Sequence, residues 1–183
     1  MGKIDFGVKP MMLPMPVLII GTYDENGVPN AMNAAWGITT DYNEISISMS
    51  DHKTVQNLLK TKAFTVSMGT EDTVIACDYV GIVSANDVPD KFAKAGFHAT
   101  KSPRVNAPII DELPMVIECK VKSFENGILV GEIVNVSADD SVISEGKIDI
   151  KKLKPIAYNS CDNTYVKLGE SVAKAFSDGL KLK

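Results

Sequence analysis

NAMNAAWGITTDYNEISISMSDHKTVQNLLKTKAF, residues 30–64, decides the fold. It reads as strand, turn, strand and helix. Residues 44–50 (Glu-Ile-Ser-Ile-Ser-Met-Ser) alternate strictly, so one face is apolar and the other carries hydroxyls, the period of a half-buried strand. Residues 53–62 place Val55, Leu58 and Leu59 on one side of a short helix. Residues 28–37 form the preceding strand, and 38–43 are polar and turn-like.

Outward from this stretch the chain keeps the same character. Residues 16–23 are a run of branched residues ending in Asp24-Glu25-Asn26-Gly27, and Asn-Gly between apolar runs predicts a hairpin. Residues 63–68, 115–124 and 128–136 read as strands, the last two joined by Glu125-Asn126-Gly127, with a weaker strand near 156–158. Residues 70–80 read as a helix with Glu71 and Asp72 in its first turn, and 90–96 as a short helix closed by Gly96. Loops are expected over 81–87, extended chain over 103–108, and an amphipathic terminal helix over 166–180. Pro10, Pro14 and Pro16 keep residues 1–15 irregular. Hairpins joined by short turns, with few and short helices, predict a mainly β (α+β) chain built as an antiparallel barrel or sandwich. A doubly wound sheet is disfavoured, and no GxGxxG is present.

The 183 residues predict one domain spanning 1–183, with enough chain for a sizeable core. A hydrophobic content of 45% and a charged content of 23% are those of an ordinary globule. No apolar run is long enough to span a bilayer, and no leader pattern opens the chain, so no membrane partner and a cytoplasmic location are expected. A net charge of −4 argues against nucleic acid. Lys147, Lys151, Lys152 and Lys154 are interleaved with Glu145 and Asp149, as on a solvated face. Cys77, Cys119 and Cys161 form no CxxC pair, which predicts small buried apolar residues in a reducing compartment. His52 and His98 have no metal-ligand spacing around them, so no metal site is expected.

A flat aromatic ligand with a phosphate tail needs a low ledge and a group of donors. Ala34, Ala35, Trp36 and Gly37 offer the ledge, and Ser50-Asp51-His52-Lys53-Thr54 offers a helix start, where unpaired N–H groups favour an anion. Spacing alone favours an ordinary N-cap by Ser50 or Asp51, and Asp51 counts against an anion. Trp36, the one tryptophan, fits either a core or interface aromatic or a ligand contact. Asn30 and Asn33, three apart on a strand, face opposite sides. Lys91 by type is a solvated lysine, with a remote phosphate clamp as the alternative. No nucleophile, base or P-loop constellation is present, so no catalytic side chain is assigned, and a cofactor would carry any chemistry.

Pro16-Val17, Asn26-Gly27-x-Pro29-Asn30, Ala34-Ala35-Trp36 and His52-Lys53-Thr54-x-x-Asn57 resemble the flavin reductase-like FMN-binding proteins, the flavoredoxins among them. Val83-Ser84, Asp90-Lys91-Phe92, Ala107-Pro108-Ile109, Val130-Gly131-Glu132-Ile133, Pro155-Ile156-x-Tyr158 and Leu168-Gly169-Glu170 extend the resemblance over nearly the whole chain. It implies a Greek-key split β-barrel with short peripheral helices, a homodimer, and non-covalent FMN. Carried over by position, Asn30, Asn33, Ala34, Ala35 and Trp36 line the flavin and ribityl chain. Ser50, His52, Lys53 and Thr54 hold the phosphate, and Ser84 and Lys91 close the site. The implied activity is an FMN-dependent oxidoreductase drawing on NAD(P)H. The alternatives are an electron carrier serving a redox partner protein, or a flavin-free binding module. Relatives often carry arginine near position 51 or 52 and histidine before the 130–132 strand, where this chain has Asp51-His52 and Asn126-Gly127.

Overall fold

The structure, a computed structural model, describes residues 2–182. Its first half contains β1 (Met15–Pro16), β2 (Leu18–Tyr23), β3 (Pro29–Ala34), β4 (Gly37–Asp41), β5 (Glu44–Ser48), α1 (Lys53–Thr61), β6 (Ala63–Met68), α2 (Val74–Ile82) and α3 (Lys91–Lys94). Its second half contains β7 (Ala99–Lys101), β8 (Pro108–Ile110), β9 (Met115–Glu125), β10 (Ile128–Ala138), β11 (Ile143–Ser144), β12 (Lys147–Ile148), α4 (Ile150–Leu153), β13 (Ile156–Asn159) and β14 (Thr164–Lys167).

Seven strands form one antiparallel sheet in the order β3-β2-β6-β9-β10-β5-β4. Its concave face is lined by Leu18, Ile20, Ile45, Ile47, Val66 and Leu129, and α1 adds Val55 and Leu58. Each such side chain contributes roughly 1.5–3 kcal/mol when fully buried, which is what curls the sheet around them. On the convex side of β2, Val17 and Ile19 join Ala31 of β3 against Cys77 and Val80 of α2. The period-2 pattern of β2 and β3 thus supplies two cores, one on each face. Gly131 lies at a register shift of β10 against β9, where a Cβ would run into the buried ring of Phe64.

The barrel is split. Among the described residues β3 pairs only with β2 and β4 only with β5, so each is a free edge. The chain crosses between the two edges through Ala35 and Trp36, and the Ser48 N–H donates to the Trp36 carbonyl at 2.7 Å. A three-stranded sheet, β1-β13-β14, brings the late strands back to Met15 and Pro16. Glu118 of β9 is buried at 1% exposure, and it accepts from the Ser102 hydroxyl and the Asn135 amide.

Several expectations are corrected. Residues 38–41 belong to β4 and only Tyr42-Asn43 make the turn expected over 38–43, and the strand expected over 28–37 ends at Ala34. β4 reads as polar because it is an exposed edge, with Ile38 through Asp41 all facing water. The terminal helix over 166–180 does not form. β14 runs to Lys167, and only Asp178–Leu182 makes a 3-10 turn. Val172 and Phe176 are fully exposed there, and an amphipathic period with no surface to bury against does not hold a helix. Residues 103–107 are bends rather than extended chain, flanked by an unforeseen β7–β8 hairpin. Cys77 and Cys119 are buried as expected, but Cys161 is exposed. No described helix is long and apolar enough to cross a membrane.

Candidate functional site

α1 begins without a cap. His52 stands at the N-cap position in extended conformation, and neither its side chain nor that of Ser50 or Asp51 takes up a helix N–H. No acidic residue occupies the first turn. The helix start is therefore an open set of donors with the positive end of the helix dipole behind it. Ser50 itself is exposed.

Lys91, a solvated lysine by residue type and a phosphate clamp by the family resemblance, is only 3% exposed. α3 turns its side chain back under the end of α2, where Nζ donates to the carbonyls of Val80 (2.9 Å) and Val83 (2.7 Å). These are carbonyls that a helix leaves unpaired at its C-terminus. Burial pulls the ammonium from its ordinary 10.5 to about 8. Among the described residues no carboxylate lies within ion-pair distance of it.

The two elements face one pocket of about 150 Å³, to which Asn33, His52, Lys53, Thr54, Ser84 and Lys91 contribute. It has room for about five waters at roughly 30 Å³ each, which suits a phosphate-sized anion and not a three-ring aromatic. No Asp or Glu lines it. Its hydroxyls are set to donate. The Thr54 hydroxyl already accepts from Asn30 Nδ2 at 2.8 Å, and the Ser84 hydroxyl from the Asn86 N–H at 3.2 Å, so each keeps its own proton for another acceptor. Asn30 is 4% exposed and its Oδ1 has no partner. Asn33 donates to the Cys77 carbonyl on the other face of β3, so the two asparagines do point to opposite sides.

The ledge residues part company with this pocket. Ala34 is buried in the barrel core. Ala35 and Trp36 line a separate groove of about 860 Å³, with Lys9–Met12, Pro14–Pro16, Gly37, Ile38, Ser46–Ser48 and Ile128. Trp36 is 56% exposed. Asn33 of the small polar pocket and Ala35 of the large apolar groove are two positions apart on the chain, though the two cavities share no lining residue. Sequence reasoning missed Gly81, where a Cβ would stand 2.8 Å from that of Asn33. It also missed the carbonyls of Val80 and Val83. Gly81 alone left a signal, as the glycine that follows the helix expected over 70–80, and α2 in fact runs through it to Ile82.

Known proteins align with this architecture. Residues 11–160 match the model of the flavin reductase like domain. The fold superposes on flavoredoxin of Desulfovibrio vulgaris (Miyazaki F) with a TM-score of 0.94 at 34% identity, over 97% of this chain and 100% of that one. It superposes on flavoredoxin from Methanosarcina acetivorans with a TM-score of 0.90 at 26% identity, over the whole of both chains. An uncharacterized protein of Aquifex aeolicus (strain VF5) is 28% identical over 162 residues, 81% of this chain and 82% of that protein.

Proposed function

The chain belongs to the flavin reductase like domain family, and on that premise we propose that it is an oxidoreductase working through non-covalently held FMN. The observation that carries this reading is the buried, uncompensated ammonium of Lys91 facing the uncapped start of α1 across a pocket without acid groups. A buried cation without a counter-ion is costly, and a phosphate supplies the missing charge.

The residues present fit such a group. Thr54, Ser84, the α1 N–H groups and Lys91 donate to the phosphate, with Lys53 and His52 at the rim. Asn33, which lines the pocket, suits a polyol hydroxyl, and Asn30 acts from behind Thr54, whose hydroxyl it orients. Ala35 and Trp36 wall the apolar groove and keep water off a planar ring system. Bound flavin supplies hydride and electron chemistry, and the protein sets its orientation and exposure. This accords with a chain whose site needs no side-chain acid or base.

The same reading takes residues 1–183 as one functional unit acting as a homodimer. Exposed Trp36, Ile38, Tyr42 and Ile128 support the dimer as apolar surface available for a second copy. The free cysteines support a cytoplasmic location. A second reading, an electron carrier for a redox partner protein, is favoured by the 34% identity to a flavoredoxin. Anaerobic mixing of the FMN-loaded protein with NADH and with NADPH separates the two. Prompt bleaching supports the NAD(P)H-dependent enzyme, and slow bleaching with fast reduction by a protein donor supports the carrier. Apoprotein that takes up no FMN refutes both.

A further inference from the structure

β14 reaches the pocket through a chain of hydrogen bonds. The Tyr165 hydroxyl donates to Asp78 Oδ1 at 2.7 Å. Asn33 Nδ2 donates to the Cys77 carbonyl at 3.2 Å and, more weakly, to the Tyr165 oxygen at 3.4 Å. The direction of every bond is forced. A carboxylate and a backbone carbonyl only accept, so the phenol proton goes to Asp78 and the phenol oxygen receives from Asn33. Burial, reinforced by the bond to Asp78 and its charge, holds the phenol above its ordinary pKa, so it stays protonated. The Asn33 amide nitrogen is thus engaged on both sides, and Asn33 Oδ1 bonds no donor among the described residues. Asn33 lines the pocket, and Gly81 leaves the space in which its side chain lies.

We propose that Tyr165 and Asp78 are positioning residues for the ligand site, which lock the Asn33 amide so that Oδ1 is presented as a fixed acceptor to a hydroxyl or N–H of the bound flavin nucleotide. The inference rests on the FMN reading above. Tyr158, the cross-strand neighbour of Tyr165, packs its ring 6.2 Å away and holds the β13–β14 hairpin that delivers the phenol. A late strand, remote in sequence, thereby sets which atom of Asn33 a ligand meets. Without the Tyr165 oxygen the Cys77 carbonyl alone holds the amide nitrogen, and the amide swings about that single bond, so Oδ1 is held less firmly toward the ligand.

A double-mutant cycle tests it, with FMN affinity of the apoprotein read by flavin fluorescence. Tyr165→Phe keeps the ring and removes the bond, and it is expected to weaken FMN binding about fivefold, and Asn33→Ala about tenfold, in line with one neutral hydrogen bond or slightly more. The double variant is expected to bind within about twofold of Asn33→Ala, because Tyr165 acts through Asn33. Affinity for inorganic phosphate, measured by competition, is expected to stay unchanged in Tyr165→Phe. Asp78→Asn is expected to weaken FMN about threefold and serves as the test if Tyr165→Phe does not fold. Equal FMN affinity in wild type and Tyr165→Phe overturns the inference, as does a fivefold loss that persists in the Asn33→Ala background. Wild-type apoprotein that binds no FMN overturns the FMN reading and this inference together.

Discussion

Replacing Lys91 by Met separates a binding cation from a structural one. Burial brings the ammonium from 10.5 to about 8, a cost of at most about 3 kcal/mol at 1.36 kcal/mol per pH unit, which solvent screening lowers. Methionine removes that cost and fills similar space, but it leaves the Val80 and Val83 carbonyls without their donor, at about 1 kcal/mol each. The ligand-free variant should therefore be as stable as wild type, or about 1 kcal/mol more stable, in urea denaturation at pH 7. FMN affinity should fall about 10- to 100-fold, the worth of a charge-assisted bond to phosphate. Riboflavin, which lacks the phosphate, should bind both forms alike. The pH dependence has two opposite signs. Between pH 8 and 10.5 the unfolded chain holds the Lys91 proton and the folded one does not. Stability of the ligand-free protein therefore rises across that window, and the gain is lost as pH falls through about 8. FMN affinity instead falls as pH rises through about 8. A variant that loses stability while FMN affinity is unchanged, or one that loses FMN and riboflavin equally, refutes the phosphate assignment.

Thr54→Ala strands the buried Asn30 amide, so it should cost about 1–3 kcal/mol in urea denaturation and weaken FMN about fivefold. Normal stability with normal affinity would refute the donor role. Trp36→Ala, at a half-exposed ring, should leave stability within about 0.5 kcal/mol and weaken riboflavin by roughly fivefold, as for an aromatic contact of about 1 kcal/mol. Unchanged riboflavin affinity would separate the groove from the flavin. Gly131→Ala, which drives a methyl into Phe64, should destabilise by about 1–3 kcal/mol, and an unshifted thermal midpoint would show that β10 yields there at no cost.

Most of the barrel was legible because its strands carry local signals. The alternation of 44–50, the Asn-Gly turns at 26–27 and 126–127, and the 63–68 run fell where they were expected. β4 was not legible, because an edge strand that faces water is composed like a turn. The tail failed for the opposite reason, since 166–180 has a helical period but no surface to pack against. At the site, the helix start and its hydroxyls could be read from spacing. The burial of Lys91 could not, because its partners are backbone carbonyls of α2, and backbone groups have no letter in a sequence. The link from Tyr165 to Asn33 crosses most of the chain, and it depends on β14, a strand for which residues 159–165 gave no sequence signal.

The strand order has a consequence for the protein while it is being made. β5 has β4 on one side, but its other partner is β10, so Ser48 leaves the ribosome long before Ile128 exists to pair with it. At roughly 5–20 residues per second the β4–β5 hairpin waits for several seconds with a row of backbone groups unpaired and Leu129 still missing from the core around Ile45 and Ile47. A chain that ends between these two strands therefore leaves one side of β5 unpaired, an edge the complete sheet closes with β10.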